Sequence, residues 1–146
     1  MSSVSRVSFT LKNDTAELDA LRSFVKKTVS ATPLSESDLN KVVVAVDEAV
    51  SNIIQHAYTS DVTETISVEV ESDAARLLVV IRDYGRSFDP STVSELEIGE
   101  HVRTGNRRGL GLFLMRRIMD EVHYNFKEGV RNELVLIKRF GKGKQE

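Results

Sequence analysis

The chain has 146 residues, a hydrophobic fraction of 40% and a formal net charge of −2, from 20 Lys plus Arg against 22 Asp plus Glu. That length predicts one domain, residues 1–146, that buries roughly 68–70% of its unfolded surface, and the near-balance of charge excludes a protein whose main task is coating nucleic acid or an anionic membrane. With no cysteine in the chain, disulfides, thiol nucleophiles and cysteine zinc sites are excluded too. The segment Val4–Lys12 alternates, with Val7, Phe9 and Leu11 on one face, and predicts a first strand. Asn13 or Asp14 then caps a helix carrying Leu18, Leu21, Phe24 and Val25 on one side, which stops before Pro33. Ser35 or Ser37 starts a second helix, whose stripe from Leu39 to Tyr58 runs through Val42, Val43, Val46, Val50, Ile53, Ile54 and Ala57.

After Thr59–Thr63 the period changes to two. Ile66, Val68 and Val70 mark a half-buried strand, and Leu77–Arg82, more continuously apolar, a central one. Residues 84–108 are polar and lack a period, and an irregular stretch of that length is more often functional than idle. Gly109–Glu121 predicts a helix. Val122–Lys127 and Glu133–Phe140 predict two strands joined by a turn at Glu128–Asn132, before a polar tail at 141–146. Hairpins outnumber crossovers in this order. The expected fold is therefore α+β, a two-layer sandwich with helices on one face of a mixed, mostly antiparallel sheet.

No apolar run is long enough for a signal peptide or a bilayer span, so a soluble, cytoplasmic chain is expected, with no membrane partner and no direct nucleic-acid partner. His56, His101 and His123 are too far apart for a local metal motif, and His56 reads as structural. The P-loop, dinucleotide-fold and serine-elbow motifs are missing.

Three local features can carry chemistry. Glu48 and Asn52 lie about 40° apart on one side of the second helix, opposite its apolar stripe. A carboxylate and a carboxamide so placed suit a general base beside an oxygen ligand for Mg²⁺, although a solvated helix face has the same pattern. Asp47, off that face, reads as a surface charge. Asp83, ending the apolar strand ahead of Gly85, can accept a hydrogen bond from an exocyclic amine such as that of adenine; a plain turn after a strand also favours Asp and Gly. Arg107-Arg108-Gly109-Leu110-Gly111-Leu112 opens a helix, where free N–H groups and glycines suit a phosphate and Arg103 adds positive charge, though a flexible loop entering a helix looks alike.

In order, ExxxN on a helix, DxGxxFDP after a strand, a long loop and RGLGL opening a helix resemble the GHKL (Bergerat-fold) ATPases. VDEAVSNIIQHAY, IRDYGRSFDP and GLGLFLMRRIMDEV look more closely like the small anti-sigma-factor serine-protein kinases of bacterial partner-switching systems. The resemblance covers residues 4–140. It implies Glu48 as the catalytic base, Asn52 as the Mg²⁺ ligand and Asp83 as the adenine-binding carboxylate, with Gly85 and Phe88 shaping the pocket. It also implies an ATP lid over residues 84–108, to which Arg103, Thr104, Gly105, Arg107 and Arg108 belong. Gly109, Leu110, Gly111 and Leu112 would meet the phosphates through backbone N–H groups. Arg86-Ser87 and Asn106-Arg107 stand where many relatives carry glycine.

The function so implied is that of an anti-sigma regulatory factor with ATP- and Mg²⁺-dependent protein serine kinase activity. It would sequester an RNA polymerase sigma factor, phosphorylate a STAS-domain anti-anti-sigma protein, and form a homodimer. Two alternatives stand beside it: a module that regulates a partner without chemistry, with or without nucleotide, and the catalytic domain of a histidine kinase. No linker or dimerisation helix precedes Val4, which counts against the second.

Overall fold

The computed structural model describes residues 4–56, 64–84, 115–127 and 131–141. In chain order these form β1 (Ser5–Lys12), a 3-10 turn (Thr15–Glu17), α1 (Leu18–Val29), α2 (Glu36–His56), β2 (Thr65–Ser72), β3 (Arg76–Asp83), β4 (Glu121–Lys127) and β5 (Arg131–Arg139). Residues 115–118 are helical. The strands make one sheet in the order β1-β2-β3-β5-β4. Every neighbouring pair described is antiparallel, which is the α+β class expected, without a parallel pairing among these strands. β5 turns back between β4 and β3. The reason is burial: β5 carries buried Leu134, Leu136 and Ile137, whereas His123 and Asn125 of β4 are exposed, as an edge strand tolerates.

Period-two alternation decides which face the helices cover. Ile66, Val68 and Val70 of β2 and Leu77, Val79 and Ile81 of β3 meet Leu21, Val25 and Val29 of α1 and Val42, Val46 and Val50 of α2 in one core. Met115 and Met119 join it beside Leu134 and Leu136. The intervening residues turn to the opposite face, where an alternating run of ion pairs crosses the sheet. Arg6 meets Glu71 at 3.1 Å and Glu69 at 3.5 Å, Arg82 meets Glu69 at 3.5 Å and Glu133 at 2.7 Å, and Arg131 approaches Glu133 at 3.9 Å.

Local chemistry sets the element ends. Ser35 Oγ accepts the Asp38 N–H at 3.1 Å, so α2 begins at Glu36, earlier than its apolar stripe. Asp14 rather than Asn13 does the capping, and it caps the 3-10 turn, accepting the Ala16 N–H at 2.9 Å. Asn13 is used elsewhere: its Oδ1 accepts the Glu64 N–H, and its own N–H donates to the Glu64 carbonyl, both at 3.0 Å, which joins the end of β1 to the start of β2.

Two expected boundaries move. The third helix does not reach Glu121, which lies in β4; the Asp120 N–H donates to the Ile137 carbonyl at 2.8 Å, and Lys138 Nζ donates to the Ile118 carbonyl at 2.8 Å, so the backbone there is already committed to β5. Arg131 and Asn132 are not turn residues but the first rungs of β5, pairing with Lys127 and Phe126. The expected segments at 57–63, 85–114, 128–130 and 142–146 lie outside the described residues.

Candidate functional site

The register of the sheet gathers the candidate residues at one end. Ser67 pairs with Arg82 and Asp83 with Asn132, so the start of β2, the end of β3 and the start of β5 lie side by side. α2, which carries Glu48 and Asn52, ends at His56 and precedes β2 in the chain.

Asp83 is 4% exposed and Asn132 is 2% exposed; they are the buried polar residues among those described. Asn132 Nδ2 donates to Asp83 Oδ1 at 3.0 Å across the β3–β5 rung. Both point into the helix-covered face, because Asp83 continues the Leu77, Val79, Ile81 alternation and Asn132 the Leu134, Leu136 alternation. Leaving an ionised carboxylate at the rim of an apolar core is unfavourable unless hydrogen bonds hold it, and the Asn132 amide supplies one. A carboxylate thus oriented is an acceptor fixed in direction, suited to an amine on a flat ligand.

Asp47 is not the free surface charge expected. It is half-buried, and Arg22 of α1 donates from Nη1 to its Oδ1 at 2.8 Å while also contacting Asp19 on its own helix. Its hydrogen bonds, first to Asp19 and then to Asp47, hold the Arg22 guanidinium above its ordinary value. The pair fixes the rotation of α2. Asp47 points to α1, so Glu48, about 100° further round, and Asn52, one turn on, fall on the flank away from α1. Both are half-buried there.

Asn52 Nδ2 is fully buried and has no hydrogen-bond partner, alone in this among the side-chain N and O atoms of the described residues. Buried donors in native proteins are nearly always satisfied, and an orphan at a site marks a place that a ligand completes. An unpaired N–H calls for an acceptor such as water or a phosphate oxygen, whereas Mg²⁺ would be met by the amide oxygen, Oδ1, of the same side chain. No group of three His, Cys, Asp or Glu residues that could cage a metal occurs among the described residues. Mg²⁺ needs no such cage, since it is commonly held by one or two protein oxygens plus waters and substrate phosphates.

Asp83 thus sits buried at the end of β3, and Glu48 and Asn52 lie half-buried on one flank of α2. Gly85, Phe88, Arg103, Thr104, Gly105, Arg107, Arg108, Gly109, Leu110, Gly111 and Leu112 lie outside the described residues, and of His56 only its place as the last residue of α2 is described. Asn132 was missed by sequence reasoning. Its signal was present: extending the Leu136, Leu134 alternation back by one step puts Asn132 on the core face. No described helix is long and apolar enough to cross a membrane.

A family model described as a histidine kinase-like ATPase domain matches residues 11–138. A serine-protein kinase RsbW of Bacillus licheniformis is 40% identical over 102 residues, covering 66% of this chain and 63% of its own length. The RsbW kinase of Listeria innocua is 36% identical over 91 residues, covering 60% of this chain and 58% of its own. This chain thus spans about three fifths of the length of the curated relatives it matches. A crystal structure of the RsbU and RsbW domains of a Mycobacterium tuberculosis protein aligns with a TM-score of 0.64 at 16% identity, over 92% of this chain and 32% of that one, which is a likeness of fold.

Proposed function

This chain belongs to the histidine kinase-like ATPase domain family, and from that premise we propose that it is an anti-sigma regulatory factor and an ATP-dependent protein serine kinase. Its partners are a sigma factor, which it sequesters, and a STAS-domain anti-anti-sigma protein, whose serine it phosphorylates. The observation that carries the reading is Asp83, a carboxylate 4% exposed at a strand end and hydrogen-bonded by Asn132. The RsbW relatives, named serine-protein kinases, support the choice of acceptor.

The roles follow from the chemistry of each group. Asp83 accepts a hydrogen bond from the adenine amine, with Gly85 and Phe88 beside it. Asn52 would offer its carboxamide oxygen to Mg²⁺, which when bound would neutralise charge on the phosphates. Glu48, on the same flank of α2, takes the proton of the attacking serine hydroxyl at a carboxylate oxygen. Residues 84–108 form the ATP lid, contributing Arg103, Thr104, Gly105, Arg107 and Arg108, and the backbone N–H groups of Gly109, Leu110, Gly111 and Leu112 hold the phosphates. The chain acts as one domain and as a homodimer in the cytoplasm. β1 stands at one edge of the sheet, and Val7 within it and Val4 just before it are 42% and 54% exposed, which supports the dimer.

The test compares wild type with Glu48→Gln, using labelled ATP and a STAS-domain protein. Transfer to serine is expected to fall by about 10²–10⁴-fold in the variant, with nucleotide and sigma-factor binding retained. If wild type binds nucleotide and partner yet transfers nothing, the chain is a non-catalytic regulator. An acid-labile product would make it a histidine kinase domain instead.

A further inference from the structure

Behind the Asp83–Asn132 rung lies the Arg82–Glu133 rung, one register step away and on the opposite face of the sheet. Arg82 Nε donates to Glu133 Oε2 at 2.7 Å, and Arg82 Nη1 reaches Glu69 of β2 at 3.5 Å. The side chains are 29% exposed for Arg82, 21% for Glu133 and 19% for Glu69, so water screens the group only in part. Asp83 is the last residue of β3, and a strand end is where a ladder frays most easily.

We propose that Arg82 and Glu133 are positioning residues for the nucleotide site, fastening β3 to β5 from the open face so that Asp83 keeps its orientation on the other. This rests on the adenine-binding role of Asp83 given above. The Asn132–Asp83 hydrogen bond and the Arg82–Glu133 ion pair tie the same two strands from opposite faces at consecutive rungs. With both present, the end of β3 can neither lift from β5 nor roll about its own axis. With the outer tie cut, the inner side of the rung loses its support from the opposite face of the sheet. Glu69, opposite Val80 two residues along, extends the tie diagonally to β2, so that Arg82 joins three neighbouring strands.

The experiment measures ADP binding by isothermal titration calorimetry, with GDP as the comparison ligand and thermal melts alongside. Arg82→Met is expected to weaken ADP binding by about three- to tenfold, and to narrow the preference for ADP over GDP. Arg82→Lys, which keeps the charge, recovers part of the loss. Arg6→Met is the control: Arg6 belongs to the same run of ion pairs, on Glu69 and Glu71, but far along the strands from Asp83. Being more exposed than Arg82, it should shift the melt by less than Arg82→Met does, and it should leave ADP affinity unchanged.

Equal loss of affinity in Arg6→Met and Arg82→Met would overturn the inference, as would unchanged binding in Arg82→Met while Asp83→Asn loses it. Wild type that binds no ADP would instead overturn the adenine-binding reading itself, and this inference with it.

Discussion

Asp83, Asn132 and Asn52 share a condition that few side chains tolerate, a polar group held among apolar ones. Removing one partner of a buried polar pair costs about 1–3 kcal/mol, because the other partner loses a hydrogen bond without regaining water. Asn132→Leu is therefore expected to lower the urea-unfolding free energy by about that amount and to weaken nucleotide binding. Asn52 behaves in the opposite way. Its Nδ2 already lacks a partner, so Asn52→Ala should change the stability of the ligand-free protein by less than about 1 kcal/mol in either direction. The same change should abolish the stabilisation gained from Mg²⁺-ADP. Melting curves with and without ligand check both halves, and a large loss in the ligand-free melt would mean that Asn52 is structural.

The elements are joined by contacts that each hold one geometry. Arg22 and Asp47 link α1 to α2 and thereby set which flank Glu48 occupies. Removing either should cost about 1 kcal/mol, as a partly exposed ion pair does, and a double-mutant cycle should return a coupling of that size. The β2–β3 turn depends on Asp73, whose Oδ1 accepts the Ala75 and Arg76 N–H groups at 2.8 and 2.9 Å. Those hydrogen bonds, Ala75 first and Arg76 second, lower its carboxyl below the ordinary value. The folded state therefore holds that proton less tightly than the unfolded chain. The contribution is fully present above the unfolded value of about 3.9 and is lost as pH falls through the lower folded value. Asp73→Asn keeps an acceptor but does not titrate, so stability below about pH 4 should fall less steeply in this variant than in wild type. Urea midpoints across the acid range report the difference.

At the scale of the whole molecule, one core supports both faces of the problem, stability and ligand binding. Leu21 is fully buried between α1 and the sheet, and Leu21→Ala should cost about 2–5 kcal/mol by transfer and cavity terms. Ligand acts on the same balance from outside. If the proposed site takes Mg²⁺-ATP, ligand at about a hundred times its dissociation constant should add roughly 2.7 kcal/mol, a rise in the melting midpoint of roughly 5–10 °C for a chain of this size. Asp83→Asn is expected to remove that rise while leaving the ligand-free melt within a few degrees of wild type. A rise that survives the substitution would place the nucleotide elsewhere.

Whatever depends on neighbours along the chain was legible in the residues themselves. Period two and period 3.6 separate strands from helices, the Ser35 cap and Pro33 mark helix ends, and the α+β class follows from the order of the elements. Glu48, Asn52 and Asp83 stood out for the same reason: each is a polar residue placed by a local repeat, on a helix flank or at a strand end. The tertiary structure decided what joins residues far apart in sequence. The insertion of β5 between β3 and β4 brings Asn132 onto Asp83, 49 positions away. The packing of α1 on α2 turns Asp47 from a surface charge into a tie to Arg22, 25 positions away. Periodicity describes one element's own geometry, whereas a cross-strand or interhelical hydrogen bond exists only after two elements have docked, which is why those partners came from the fold.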